Sequence, residues 1–233
     1  MIIFQAGSDR KEEQMTVRRA FEKRLNKLHQ HLLAMGLMVD AAIYKAIKSL
    51  VDKDSEYAQE VIEGDEIINT MESQIEQQSF ELIALQQPVG SDLRKIITML
   101  KVATDLERMG DHAVSIAKMT IRLKNVTYAK PLIDIPAMAD VVKEMVHSSL
   151  NAYVSTNVEA AKEIANRDDQ VDEYFSKIYA DLIALMINDS QHIKQASQLL
   201  LVAQYLERIG DYVTNICEWI IYLKNGYLVE LND

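Results

Sequence analysis

Glu107 and Asp111 lie four residues apart, as do Glu207 and Asp211. That spacing stacks side chains on one face of an α-helix, where two like charges cost roughly a few tenths of a kcal/mol. The costly pair nevertheless occurs twice. A second polar set keeps the same period: Asp65, Asn69 and Glu72 fall at i, i+4 and i+7, and Asp168 and Asp172 are their counterparts, with Asp169 and Glu173 as an offset stripe. Carboxylate and amide oxygens gathered from two neighbouring helices repel unless cations sit between them. Such oxygens suit hard ions, namely Mg²⁺, Ca²⁺, Mn²⁺ or ferric iron, and they also admit Zn²⁺. The competing reading is a solvated acidic face with Arg108 and Arg208 as local partners. Gly110 and Gly210 stand between the acids of each pair, at a cost of about 1 kcal/mol each against alanine in a helix interior. They fit either the close approach of a backbone or cluster, or tight helix packing alone.

Elements long enough to carry these stripes are what the composition favours. Only 7 Gly and 3 Pro occur in 233 residues, too few to punctuate a β-sandwich or a Rossmann-like fold. From Met15, the residues Phe21, Leu25, Leu28, Leu32, Met35, Val39, Ile43, Ala46 and Leu50 step by three or four, which marks one face of a long helix. Asp52–Ser55 breaks it. A second helix runs to the Gln87–Ser91 stop, where Pro88 disfavours helix at Gln87 and Ser91 is placed to cap a third helix over 92–124. The expected fold is all-α, a tandem duplication of a three-helix bundle with six long helices. It divides into a flexible N-terminus (1–14), a first repeat (15–124), a linker holding Pro131 and Pro136 (125–136), a second repeat (137–225) and a C-terminal tail (226–233).

The duplication is visible in letters. At an offset of 100, Leu82–Leu85 recurs as Leu182–Leu185, Leu106–Arg108 as Leu206–Arg208, and Gly110–Asp111 as Gly210–Asp211. Upstream the offset is 103, matching Ala58 with Ala161, Asp65 with Asp168, Asn69 with Asp172 and Ile75 with Ile178. The change implies a bulge inside the second helix or a displaced alignment there.

Other chemistries have little support. A net charge of −10 opposes nucleic-acid binding, which needs cationic side chains against phosphates. Cys217 is the only cysteine, so neither a disulfide framework nor a thiolate metal site is expected. No apolar run reaches membrane-spanning length, and a cytoplasmic protein is the expectation. Glu144 and His147 form a single Glu-x-x-His, whereas ferritin-like di-iron sites use two, so a polar surface pair is the better reading. His112 aligns with Tyr212 and stands outside the duplicated set. Arg10, Lys11, Arg18, Arg19, Lys23, Arg24 and Lys27 make a basic start to the first helix. That start is either a solvated face or a docking surface for an acidic partner or anionic lipid.

With order, spacing and motif together, the chain resembles the PhoU family from about Met15 to Asn225, most tellingly in IALQQPVGSDLRKIITMLKVATDLERMGDHAVSIAK and LERIGDYVTNICEWIIY. The resemblance implies a duplicated three-helix bundle with a Glu/Asp-x-x-x-Asp motif per repeat that holds a multinuclear iron or zinc cluster, Mg or Mn being alternatives. The motif maps onto Glu107/Asp111 and Glu207/Asp211, and the second-helix acids onto Asp65, Asp168 and Asp172. Asn69 departs from the usual acid, which implies a smaller or weaker first cluster. The resemblance further implies a non-enzymatic negative regulator of the phosphate-starvation response. It would act at the inner face of the membrane as an adaptor between a phosphate ABC transporter ATPase and a sensor histidine kinase. Membrane association would come only through partners, Arg18, Arg19, Lys23 and Arg24 would be a candidate partner surface, and a homodimer is admitted. The alternative from another class is a carboxylate-bridged metalloenzyme of ferritin-like type.

Overall fold

A computed structural model describes the backbone of residues 2–129 and 131–231, and the side chains from Met15 onward except Val17. Among these residues the regular structure is entirely helical: α1 Ile2–Asp52, α2 Ser55–Gln86, α3 Ser91–Leu123, α4 Asp134–Ser155, α5 Val158–Ala165, α6 Asp168–Asn188, a single 3₁₀ turn Ser190–His192, and α7 Ile193–Asn225. α1 begins well before Met15, where the periodic pattern starts. The side chains before Met15 lie outside the description, and with them the expectation of a flexible N-terminus and the basic residues Arg10 and Lys11.

The apolar periodicity of α1 becomes a buried stripe through Phe21, Leu25, Leu28, Leu32, Met35, Val39, Ile43, Ala46 and Leu50. Burying each large side chain of this kind contributes about 1.5–3 kcal/mol. α2 is capped by Asp54, whose carboxylate accepts from the backbone N–H groups of Glu56 and Tyr57, satisfying donors that the first turn leaves free. α3 starts at Ser91, as expected, but Gly90, with φ 57°, occupies the cap position and no side chain caps this helix. Ser91 is therefore the first helical residue rather than the cap. The fourth helix starts at Asp134 rather than Ala137, because Pro136 fits within a first turn, where its missing N–H has no partner to lose.

The second helix of the second repeat is broken. Asn166 and Arg167 interrupt it between α5 and α6, with Arg167 N–H bonding Ile164 O at 3.0 Å and Gln170 N–H bonding Arg167 O at 3.1 Å, the three-residue reach of a tightened turn. This break does not cause the change of offset. The buried residues Ala58, Val61, Ile68 and Ile75 pair with buried Ala161, Ile164, Val171 and Ile178, so 103 holds across it. The difference lies in the hairpin turns: residues 87–90 separate α2 from α3, whereas Asp189 alone stands between α6 and the 3₁₀ turn that leads into α7, so Leu82, which precedes the turn, pairs with Leu185, and its letter match with Leu182 is a displaced alignment.

The two bundles pack through their third helices, α3 against α7, with α1 also touching α4. α3 and α7 run antiparallel: His112 stacks on Tyr205 and Tyr212 at 5.4 and 5.7 Å, and Arg122 near the end of α3 reaches Gln198 near the start of α7. Both acidic pairs thereby lie at mid-helix on adjacent helices. No described helix is long and apolar enough to cross a membrane.

Candidate functional site

In the first repeat, α2 packs on α3 and brings the two acidic stripes face to face. Asp65, Asn69, Glu72 and Glu107 are half-buried, and Asp111 is exposed. Burial raises the Glu107 carboxyl to about 7, with the charges of Asp111, Glu72 and Asp65 adding to it. Burial likewise raises Asp65, again with Asp111 contributing, and Glu72, which is held partly in check by a hydrogen bond with Thr104. Asn69 donates its amide to Asp65 at 3.2 Å. This amide, together with the charge of Lys118, partly relieves the carboxylate.

The second repeat repeats the arrangement with different support. Burial lifts Asp168 to about 7, helped by Asp211, Asp172 and Glu207. Glu207 and Asp211 are also raised, first by burial. Arg208 lies 3.8 Å from Glu207 and 3.6 Å from Asp211, so the local-partner reading is half right. Its counterpart Arg108 instead sits over the Tyr212 ring at 5.8 Å, committed to the seam between repeats. Asp172 is exposed, as are Asp169 and Glu173.

Glu72 alters the comparison of the two sites. Its counterpart at offset 103 is Phe175, so the first site holds Asp65, Glu72, Glu107 and Asp111, and the second Asp168, Asp172, Glu207 and Asp211. Each contains four carboxylates, because the acid missing at Asn69 is restored one turn later. The signal for Glu72 was its i+7 spacing from Asp65.

The glycines have a structural reason. A Cβ on Gly210 would come within 2.5 Å of Asp168 Oδ1, and one on Gly110 within 3.3 Å of Ile68 Cδ1 and 3.7 Å of Asp65 Oδ1. Of the alternatives raised by the sequence, the structure shows tight helix packing, with side chains of the neighbouring helix, its acid among them, the groups that approach. Oδ1 of Asp65, Asn69 and Asp168 is buried without a hydrogen-bond partner among the described residues. Orphaned oxygens of this kind fit a cation. Against this, no three His, Cys, Asp or Glu among the described residues converge as a ready ligand set. The donor chemistry and electrostatics fit a hard cation, and the side chains would have to turn inward to complete it.

The remaining candidates are placed elsewhere. Glu144 pairs with Arg167 at 2.6 Å in solvent and His147 is exposed, in keeping with a surface pair. Arg18 bonds Asp92 and Glu22, while Arg19, Lys23 and Arg24 are exposed. Sequence reasoning passed over Asp105, which is buried in the α3–α7 seam. Its carboxyl is raised to about 6 by burial while Asn215 hydrogen-bonds it.

Comparison with known proteins fits this geometry repeat by repeat. A family described as the PhoU domain matches twice, over residues 32–120 and 135–220. The chain belongs to the PhoU family. A phosphate-specific transport system accessory protein PhoU homolog of Clostridium acetobutylicum is 44% identical over 217 residues, covering 93% of this chain and 99% of that protein. An Aquifex aeolicus protein of the same description is 38% identical, over 89% and 94% of the two chains. The crystal structure of the phosphate transport system regulatory protein PhoU from Streptococcus pneumoniae superposes with a TM-score of 0.85 at 36% identity, over 90% of this chain and 99% of that one. The PhoU crystal structure from Pseudomonas aeruginosa gives 0.86 at 34%, over 89% and 100%. The duplicated three-helix bundle is thus the PhoU fold, and both acidic pairs fall inside its two domain matches.

Proposed function

We propose that this chain is an accessory regulator of phosphate transport: a non-catalytic, cytoplasmic adaptor between a phosphate ABC transporter ATPase and a sensor histidine kinase that holds the starvation response off. The observation that carries it is the double PhoU match along the chain, with relatives described as accessory and regulatory proteins. Co-purification from cells with the transporter ATPase and the kinase tests the adaptor role. Recovery of neither would overturn it.

The acid clusters would hold metal, iron or zinc first and Mg or Mn otherwise, with Asp65, Glu72, Glu107 and Asp111 in one site and Asp168, Asp172, Glu207 and Asp211 in the other. A bound cation would supply positive charge that cancels the mutual repulsion and ties the second helix of each repeat to the third. Elemental analysis of protein purified without chelator should find metal, and Glu107→Ala with Asp111→Ala should remove about half of it. A metal-free wild type would sink this assignment. The ferritin-like enzyme reading gains nothing from Glu144 and His147, which face solvent. O₂ consumption by iron-loaded protein would revive it.

A further inference from the structure

The first helix turns a row of unpaired cations to solvent. Phe21, Leu25 and Leu28 are buried. Arg19, Lys23 and Lys27, at i, i+4 and i+8, lie on the opposite side of α1 with Arg24 beside them, and all four are exposed. None of the four has an ion-pair or hydrogen-bond partner among the described residues, whereas Arg18 at the edge of the row is taken by Asp92 and Glu22. The row is a local excess of positive charge in a chain of net charge −10. The acid clusters do not cancel it. Glu107 lies 15 residues along α3 from Asp92, about 22 Å at the helical rise, and exposed charges more than about 8 Å apart are largely screened at physiological salt.

The same end of the molecule carries apolar side chains left open to solvent. Arg18 holds Asp92 in the first turn of α3. Just before that turn Val89 is 80% exposed, and Leu85, in the last turn of α2, is 65% exposed. Arg94 packs against Gly226, which brings the exposed Tyr227 and Leu228, beyond α7, to this end as well. Glu81, also at the end of α2, accepts a hydrogen bond from Gln77. We infer that this end of the first repeat binds directly to a bilayer containing anionic phospholipids, with the cations against headgroups and Val89 and Leu85 in the boundary below them. Binding of this kind sums electrostatic attraction and buried apolar area. An acidic protein would also satisfy the charges, but protein interfaces are poor in lysine and are built on aromatic anchors. Here two of the four cations are lysines, and Phe21, the aromatic residue of this stretch, is buried in the core. A membrane needs no matching shape, only cations and apolar groups reachable from one side. The contact requires no partner protein, so it is separate from the adaptor role and from the acid clusters.

The test is flotation of the full-length protein with vesicles of phosphatidylcholine alone, or of phosphatidylcholine with about one third phosphatidylglycerol, at about 0.1 M salt. Binding to the anionic vesicles alone is expected. Each Lys or Arg beside such a surface strengthens binding roughly fivefold, so Arg19→Gln, Lys23→Gln and Lys27→Gln together should weaken it roughly a hundredfold. Leu85→Ser with Val89→Ser should weaken it roughly tenfold. All five side chains are exposed, so the variants keep the fold, which circular dichroism checks. No binding to the anionic vesicles, equal binding to both kinds, or indifference to the triple substitution would overturn the inference. So would binding indifferent to Leu85→Ser with Val89→Ser; if soluble polyglutamate also abolished it, the face would belong to an acidic protein.

Discussion

Alanine at the two equivalent glycines should act in opposite directions. Each substitution gains about 1 kcal/mol of helix propensity. At Gly110 the new methyl meets Ile68 Cδ1 at 3.3 Å, only 0.1 Å inside the 3.4 Å at which ordinary contact begins, and a terminal methyl yields easily. Gly110→Ala should therefore stabilise the metal-free protein by about 0.5–1 kcal/mol. At Gly210 the methyl would lie 2.5 Å from Asp168 Oδ1, 0.9 Å too close, with Val171 Cγ1 at 3.4 Å. The Asp168 side chain is short, and turning its carboxylate away breaks the contact that Thr214 makes with its other oxygen. Overpacking of this kind costs about 1–3 kcal/mol, so Gly210→Ala should be net destabilising by about 1 kcal/mol. At roughly 2–4 °C per kcal/mol for a chain of this size, the two Tm values should differ by about 3–8 °C in thermal melts with chelator present. Equal shifts, or a larger loss at Gly110, would refute the packing argument.

Further outcomes follow from the same geometry. The raised carboxyl of Glu107 favours the folded state while it is protonated: the benefit is complete below pH 4.5, shrinks as pH rises, and is gone above about 7. Glu107→Gln should therefore raise the Tm of metal-free protein at pH 8 and leave it unchanged at pH 4, and a constant shift across that range would contradict the assignment. For this half-exposed side chain solvent screening holds the gain to about 1 kcal/mol. Replacing Asp54 by Ala removes the α2 cap and should cost about 1 kcal/mol in denaturant unfolding, at any metal content. Gln195 of α7 accepts from Ala129 N–H in the linker, so Gln195→Ala frees the linker from α7, and hydrogen exchange at the Ala129 amide should quicken while the amides of α3 stay protected.

The helical class, the duplication and the acidic pairs could be read from the amino-acid order. Those depend on period and repeat, which are local properties of the chain. The buried stripe of α1 and the end of α7 at Asn225 were legible for the same reason. Breaks that depend on backbone geometry were less so: the interruption at Asn166–Arg167 carries neither Gly nor Pro, and Ser91 carried a capping signal that Gly90 overrode.

Which charges meet depends on how the helices pack. Asp65 and Glu107 are 42 positions apart in the chain, and their coupling exists because α2 lies on α3. Arg108 and Arg208 are identical letters in closely similar contexts, yet one turns to the Tyr212 ring and the other to Glu207 and Asp211, because the neighbouring helix differs. The basic row of α1 is visible in the letters, but its apolar neighbours Val89 and Tyr227 are not. They reach that end of the molecule only through the packing of α1 on α3 and of α3 beside α7.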